Sequence, residues 1–377
     1  MGQSFSTHIR RAARLAVIVT AVSLLAAACQ TTDNDNGGGG GGSSGGDKKI
    51  ALLLPETKTA RYEAADRPMF EAKVKALCSD CEIIYSNADQ KADQQQNQAD
   101  AALTNGAKVM VLDPVDSASA ASIVAKAKSQ SVPVISYDRL ITNADLDYYI
   151  SFDNEKVGKL QGQALIDKLK EDGKSSGTVV MINGAPTDNN AKLFKAGAHS
   201  VLDNSGFKIG KEYDTPDWSP DKAQDEMEQA ITALGKDGFD GVYAANDGTS
   251  GGAIAAMKSQ GIKPADRPTT GQDAELAAIQ RILAGEQYMT IYKPIRPEAE
   301  AAAELAVNLI NGDKSAADAL AKSTENNGQK DVPSIIFDPV VVTKDNVKDT
   351  IVKDNFHPVD QLCSGAAASA CQAAGIS

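Results

Sequence analysis

The residues best placed to do chemistry are Asp138 and Arg139, at the end of the run Val132-Pro-Val-Ile-Ser-Tyr-Asp-Arg-Leu140. An apolar, β-branched stretch that stops abruptly at an acid and a base reads as a buried parallel strand opening into a crevice. In open α/β sheets that end is where ligands bind. A carboxylate beside a guanidinium offers an acceptor pair and a planar donor fork, which together orient a neutral polyol. The bland alternative is a surface ion pair capping a strand. Further polar groups at other strand ends favour the crevice: Asn183 to Asn190 after 178–182, Asn246-Asp247 after 241–245, Gln272-Asp273 after 269–271, and Lys293-Pro294 after 289–292.

An enzyme would need a nucleophile with its base, or two carboxylates about a reacting bond. Asp138 and Asp273 read more simply as hydroxyl acceptors beside a cation. His8, His199 and His357 are the only histidines and have no ligand-like spacing, which argues against a zinc or histidine-based centre. The reading is of a binding protein with no cofactor and no metal.

The elements that carry these residues alternate. Strand 49–54, a loop holding Arg61-Tyr62, a helix with apolar positions 70, 74 and 77, strand 82–86, helix 93–105, strand 108–113 and helix 117–130 lead to the Asp138 strand. After Phe152 the pattern restarts with helix 155–171, strand 178–182, helix 191–204 and the later strands named above. Alternation without hairpins predicts doubly wound parallel sheets. No glycine fingerprint for a dinucleotide follows the first strand. Helix 297–311 and strand 335–341 follow the second sheet, so the chain is expected to cross between two lobes repeatedly and make a hinge. The boundaries expected are 48–152 with 294–331 for the N-terminal lobe, and 153–293 with 332–377 for the C-terminal lobe.

Residues 1–29 have the form of a secretory leader: His8, Arg10, Arg11 and Arg14, then an apolar run from Leu15 to Ala28, then Cys29. The apolar run is too short to span a bilayer. Leu25-Ala-Ala-Ala-Cys29 resembles a bacterial lipobox, with Ala26 where Leu is commoner, so Cys29 is expected to carry a lipid; ordinary secretion with a leftover thiol is the alternative. Residues 30–47, with six glycines from Gly37 to Gly42, form a flexible tether reaching about 20–25 Å. Past the anchor four cysteines remain. Pairing Cys78 with Cys81 and Cys363 with Cys371 is expected because each pair brackets a short turn in an exported chain. Cys78-Ser-Asp-Cys81 has redox spacing, yet it closes a helical stripe and lacks the helix N-terminus that would activate a thiol. The 377 residues carry 50 acidic and 38 basic side chains. A net charge of -12 argues against nucleic acid or an anionic membrane as partner.

Tyr137 to Gly158, Thr187 to Phe194, Ala245-Asn-Asp247, Gly271 to Glu275 and Tyr292-Lys-Pro-Ile295 together resemble the D-xylose-binding branch of the type I sugar-binding proteins of bacterial ABC importers, over roughly 48–312. The resemblance implies a two-lobe clamp, a venus flytrap, that holds a pyranose between hydrogen-bonding groups and aromatic walls. Carried over by motif, the contacts are Arg61, Asp138, Arg139, Asn190, Asn246, Asp273 and Lys293, with Tyr62 standing where a Trp is usual. Trp218, the sole Trp, sits among Asp217, Ser219 and Pro220 and is expected as a stacking wall. Asp188, Asn189, Lys192 and Asp247 are expected around the contacts, although an Asn run can also be a helix cap. The implied partners are a monosaccharide, with a pentopyranose favoured, and an ABC permease with its ATPase. The membrane is reached through the lipid anchor alone, and the chain is expected to be monomeric. Sensors and chemoreceptor ligand proteins use the same closed form. A transcription regulator shares the fold but needs a basic helix-turn-helix where this chain has its leader and tether.

Overall fold

The computed structural model describes residues 48–376; the leader, Cys29 and the tether lie outside the described residues. The first half of one lobe comprises β1 (Lys49–Leu54), α1 (Arg67–Leu77), β2 (Glu82–Asn87), α2 (Ala92–Thr104), β3 (Val109–Leu112), α3 (Ala121–Ser129), β4 (Val134–Tyr137) and β5 (Tyr148–Phe152). The chain then crosses into a second lobe: α4 (Asn154–Glu171), β6 (Gly177–Asn183), α5 (Asn189–Leu202), β7 (Phe207–Asp214), α6 (Pro220–Leu234), β8 (Gly241–Ala244), α7 (Asp247–Ser259), α8 (Leu276–Ala284) and β9 (Met289–Tyr292). It returns for α9 (Ile295–Ile310), α10 (Lys314–Leu320), β10 (Ser323–Asn326) and β11 (Asp331–Phe337). It crosses a third time for β12 (Val340–Thr343), α11 (Val359–Leu362) and α12 (Ala368–Ala373).

The N-terminal sheet runs β10-β11-β5-β4-β3-β1-β2. Every strand pair in it is parallel except the β10–β11 hairpin at its edge. Its central strands are mostly apolar and buried because helices cover both faces. On one side Ile50, Leu52, Val109, Val111 and Ile135 pack against Phe70 and Val74 of α1 and the alanines of α9. On the other, Ala51, Leu53, Met110 and Leu112 pack against α2 and α3. In the C-terminal lobe β7-β6-β8 form one parallel ladder and β12-β9 an antiparallel pair. Single bridges from Val242 to Thr269 and from Gln272 to Ile291 join the two through the segment 269–272.

Two expectations change. The strand expected over 335–341 is two strands in different lobes. β11 pairs with β5 and β12 with β9, so the third crossing falls at Asp338-Pro339, not at 331/332. Proline, which has no N–H to give a ladder, suits such a break. The sheets are also not hairpin-free. A strand not expected, β7, carries no continuous apolar run, since as an edge strand it leaves Lys208 exposed.

Both local cysteine pairs are disulfide-bonded, with Cα separations of 5.3 Å for Cys78–Cys81 and 5.6 Å for Cys363–Cys371. The second staples the C-terminal segment. Val347, Ile351, Leu362, Cys371 and Ile376 of that segment pack on Ile279, Ile282 and Leu283 of α8.

Candidate functional site

β4 ends at Tyr137, and Asp138 turns the chain with φ of +53°, a conformation that Asp tolerates better than most residues. Every backbone group of the turn that could drift is tied. Asp138 N–H donates to Ile150 O (2.9 Å), the Ser151 hydroxyl donates to Asp138 O (2.6 Å) and the Ser136 hydroxyl to Arg139 O (2.7 Å). Opposite, the segment after 269–272 places Asp273 with φ of +92°, and the loop after β7 places Trp218 with φ of +53°. Such conformations are held only where the surroundings over-determine them, and they cluster at ligand sites. Glycine opens the space for the indole: a Cβ on Gly184 would lie 2.0 Å from the Trp218 ring.

These elements line a small cavity between the lobes. Tyr62, Asp138 and Arg139 from the N-terminal lobe meet Asp188, Asn190, Phe194, Trp218, Asn246, Gln272 and Asp273 from the C-terminal lobe, with Lys293 at the second crossing. The lobes are closed on this cavity: Ser117 N–H donates to Thr187 O (3.0 Å), Asn189 N–H to Ser117 Oγ (3.0 Å), and Asn190 Nδ2 to Asp138 O (3.0 Å).

The charges form two sets. Asp138 accepts from the Tyr62 hydroxyl (2.8 Å) and from Arg61 Nη1 (3.4 Å), with Lys293 Nζ at 3.8 Å. Lys293 Nζ is also 2.9 Å from Asp273 Oδ1. Burial opposes the charge on Asp138, but Arg61, Lys293, Arg139 and the Tyr62 hydroxyl outweigh it and hold the carboxyl well below its ordinary range. In the second set Arg139 lies 3.0 Å from Asp188 across the lobes and 3.6 Å from both Asp113 and Glu56. Burial pushes Asp113 and Asp188 up against the pull of Arg139. Asp188 caps α5 through Asn190 N–H (2.8 Å) and accepts from Trp218 Nε1 (3.1 Å). One acid thus fixes the guanidinium, the helix end and the aromatic wall together.

Not every expected residue is where the motif put it. Arg61 does not line the cavity. It stands behind it, donating to Asp66 (2.6 and 2.9 Å) and Glu298 (2.6 Å) as well as to Asp138, and so holds contact residues instead of presenting its own fork. Lys192 is exposed and points away: on α5, Asn190 and Phe194 share the inward face one turn apart, and a residue two positions from Asn190 faces the other side. Asn189 is half-buried and acts through its backbone on Ser117. Asp247 is buried beside the site, accepting from Gln287, Thr290 and the Glu275 N–H, and burial pushes it up to about 7. Asn246 lines the cavity while capping α7, its Oδ1 accepting from Thr249 N–H (2.9 Å). Trp218 lines the cavity, as expected, and is almost fully buried in the closed arrangement. It meets Phe194 edge-on at 6.4 Å.

Residues not anticipated include Phe194 as a lining group and the buried acids Asp66 and Glu298; Asp188, expected around the contacts, lines the cavity. Glu298 had a signal: it lies one turn before Ala302 on the apolar stripe of α9, where an acid needs a buried partner. Gln272 Oε1 is buried without a hydrogen-bond donor among the described residues, and Asp273 Oδ1 has the Lys293 ammonium at 2.9 Å as its near partner. An unpartnered acceptor at a cavity wall calls for a donor from the ligand, as a hydroxyl group supplies. Among the described residues the one cluster with metal-ligand spacing, Cys78, Asp80 and Cys81, has its sulfurs in a disulfide.

Residues 50–314 match the periplasmic binding protein domain family. The chain is 40% identical over 318 residues to the D-xylose-binding periplasmic protein of Escherichia coli strain K12, covering 83% of this chain and 92% of that one. The chain belongs to the periplasmic sugar-binding protein family. It is therefore a binding protein and not an enzyme. Another member, the multiple sugar-binding periplasmic receptor ChvE of Rhizobium radiobacter, is 34% identical over 83% of this chain and 92% of its own. The family fold is matched by a solved ABC transporter solute-binding protein from Clostridium phytofermentans with bound β-D-glucose, with TM-score 0.76 and 28% identity, over 84% of this chain and 100% of that one. A carbohydrate transporter solute-binding protein from Chloroflexus aurantiacus in complex with D-glucose gives TM-score 0.75 at 28% identity, over 83% of this chain and 98% of that one.

Proposed function

We propose that this protein captures a single monosaccharide, D-xylose, outside the cytoplasm and delivers it in the closed form to the permease of an ABC importer. The observation that carries the reading is the small cavity walled by both lobes, with an unpartnered acceptor on Gln272, the Asp273–Lys293 ion pair and the carboxylate and guanidinium of Asp138 and Arg139 on its lining. A pyranose presents that complement: hydroxyl groups around its rim for the charged residues, and C–H faces for Trp218, Phe194 and Tyr62. The choice of D-xylose is supported by the 40% and 38% identity to proteins named as D-xylose-binding in Escherichia coli and Haemophilus influenzae. Ligand contacts are assigned to Tyr62, Asp138, Arg139, Asn190, Trp218, Asn246, Asp273 and Lys293, with Arg61 supporting them.

In this reading the sugar binds the closed arrangement better than an open one and shifts the population toward it. Closure presents a composite surface of two lobes to the membrane partner. Cys29 anchors the protein by lipid and the tether sets its reach. Calorimetric titration against D-xylose, L-arabinose, D-glucose and D-galactose tests the assignment. D-xylose binding most tightly supports it. Another sugar preferred by tenfold or more replaces the ligand, and no heat with any of the four overturns the sugar-binding reading.

A further inference from the structure

The C-terminal segment after β12 docks on the lobe that carries Asp273 and brings two adjacent side chains to the neighbours of the central ion pair. His357 Nε2 lies 2.7 Å from Ala274 O. A carbonyl can only accept, so Nε2 carries the proton and donates. Burial lowers the pKa of the ring, in keeping with the neutral tautomer. The bond falls at a strained place: Asp273 and Ala274 are consecutive non-glycine residues with φ of +92° and +53°. Ala274 has no side chain that could stabilise such a conformation for itself. One residue earlier, the Phe356 ring lies 5.1 Å from the ring of Tyr292 at a 60° tilt, and Tyr292 directly precedes Lys293. The pair that faces the cavity, Asp273 and Lys293 at 2.9 Å, is thus braced from outside at both of its backbone neighbours.

We propose that Phe356 and His357 are positioning residues for the ligand site. His357 pins the left-handed turn that aims the Asp273 carboxylate into the cavity, and Phe356 fixes the strand end that delivers Lys293. The disulfide Cys363–Cys371 keeps the segment seated against α8, so that the brace remains in place as the lobes move. This rests on the sugar-binding reading of the cavity and assigns to the appended segment a part in affinity. Neither residue touches the ligand. A rigid turn holds the acceptor in the geometry that the sugar requires, and a loose one must be ordered at the moment of binding, which costs affinity.

The test uses the full chain with D-xylose as probe and calorimetry as readout, on wild type, His357→Leu, His357→Gln and Asp273→Asn, with the melting temperature of each without sugar. Loss of one neutral hydrogen bond corresponds to about a two- to tenfold rise in Kd for His357→Leu. His357→Gln keeps a donor at similar reach and is expected to restore affinity to within about twofold of wild type, although both variants lose the same imidazole packing. Leu and Gln variants that bind alike, whether both as wild type or both weakened, overturn the hydrogen-bond role. The Asp273→Asn control, which tolerates the left-handed backbone, separates the brace from the site. If it weakens binding while the His357 variants do not, only the brace fails; if it leaves Kd unchanged, the site assignment itself fails.

Discussion

Replacing Asp138 by Asn removes one charge from the centre of the site and little else. Its φ of +53° is a region that Asn enters as readily as Asp, whereas Ala there would add backbone strain unrelated to the ligand. The carboxylate is 3% exposed and faces Arg61, Lys293 and the Tyr62 hydroxyl. Two effects follow, and they are read by different assays. In binding, a ligand hydroxyl that met a charged acceptor meets a neutral one. The difference between a charged and a neutral hydrogen bond is about 1–1.5 kcal/mol, so Kd rises about five- to twelvefold. In folding, the buried cations lose a counter-charge with or without sugar, and breaking a buried pair costs up to about 3–5 kcal/mol. That cost is common to the free and bound forms and does not enter Kd. Titration calorimetry should therefore show weakened binding, and thermal melting without sugar a lower midpoint. A Kd within twofold of wild type, beside a lowered melting temperature, would refute Asp138 as a ligand acceptor and leave it a purely structural ion.

Burial pushes the Glu275 carboxyl up to about 8. A raised acid binds its proton more tightly folded than unfolded, so stability falls as pH rises from about 4.3 toward about 8 and is level above that; Glu275→Gln should flatten this decline in chemical denaturation, and an unchanged slope would contradict the assignment. Glu298→Gln, which weakens the hold on Arg61 at 2.6 Å, should raise the Kd for sugar by less than Asp138→Asn does, because Arg61 acts through Asp138; an equal or larger effect would make Arg61 a direct contact. Cys29→Ser should release the protein from the membrane fraction with unchanged sugar affinity, and retention in the membrane would rule out the lipid anchor. Trp218, sole Trp and cavity wall, should change its fluorescence on sugar binding; a silent Trp at confirmed saturation would remove it from the wall.

Much of the fold was legible because burial writes itself into composition. β1, β3 and β4 are mostly apolar between two helical layers, and the acid and base that end the β4 run mark where the apolar run stops. What stayed hidden depends on partners distant in the chain. Nothing local to 335–341 tells that Pro339 separates strands of different lobes, since the pairing of β11 with β5 and β12 with β9 is decided by the sheets they meet. Arg61 could be recognised as important but not placed, because its position is set by Asp66 one turn away and Glu298 in a helix 237 residues on. Lys192 was misplaced by reading a motif as a cluster, where helical geometry turns alternate residues to opposite faces. His357 drew no attention as a lone histidine, and its meaning lies in a carbonyl 83 residues away.

The central claim is that a monosaccharide is held between two lobes that close on it. Small-angle X-ray scattering of the mature chain, without sugar and at saturating D-xylose, tests it most directly. The account predicts a smaller radius of gyration with sugar and a scattering curve that then matches the closed arrangement described here. An unchanged radius of gyration at calorimetrically confirmed saturation would contradict it and leave a rigid pocket in place of a clamp.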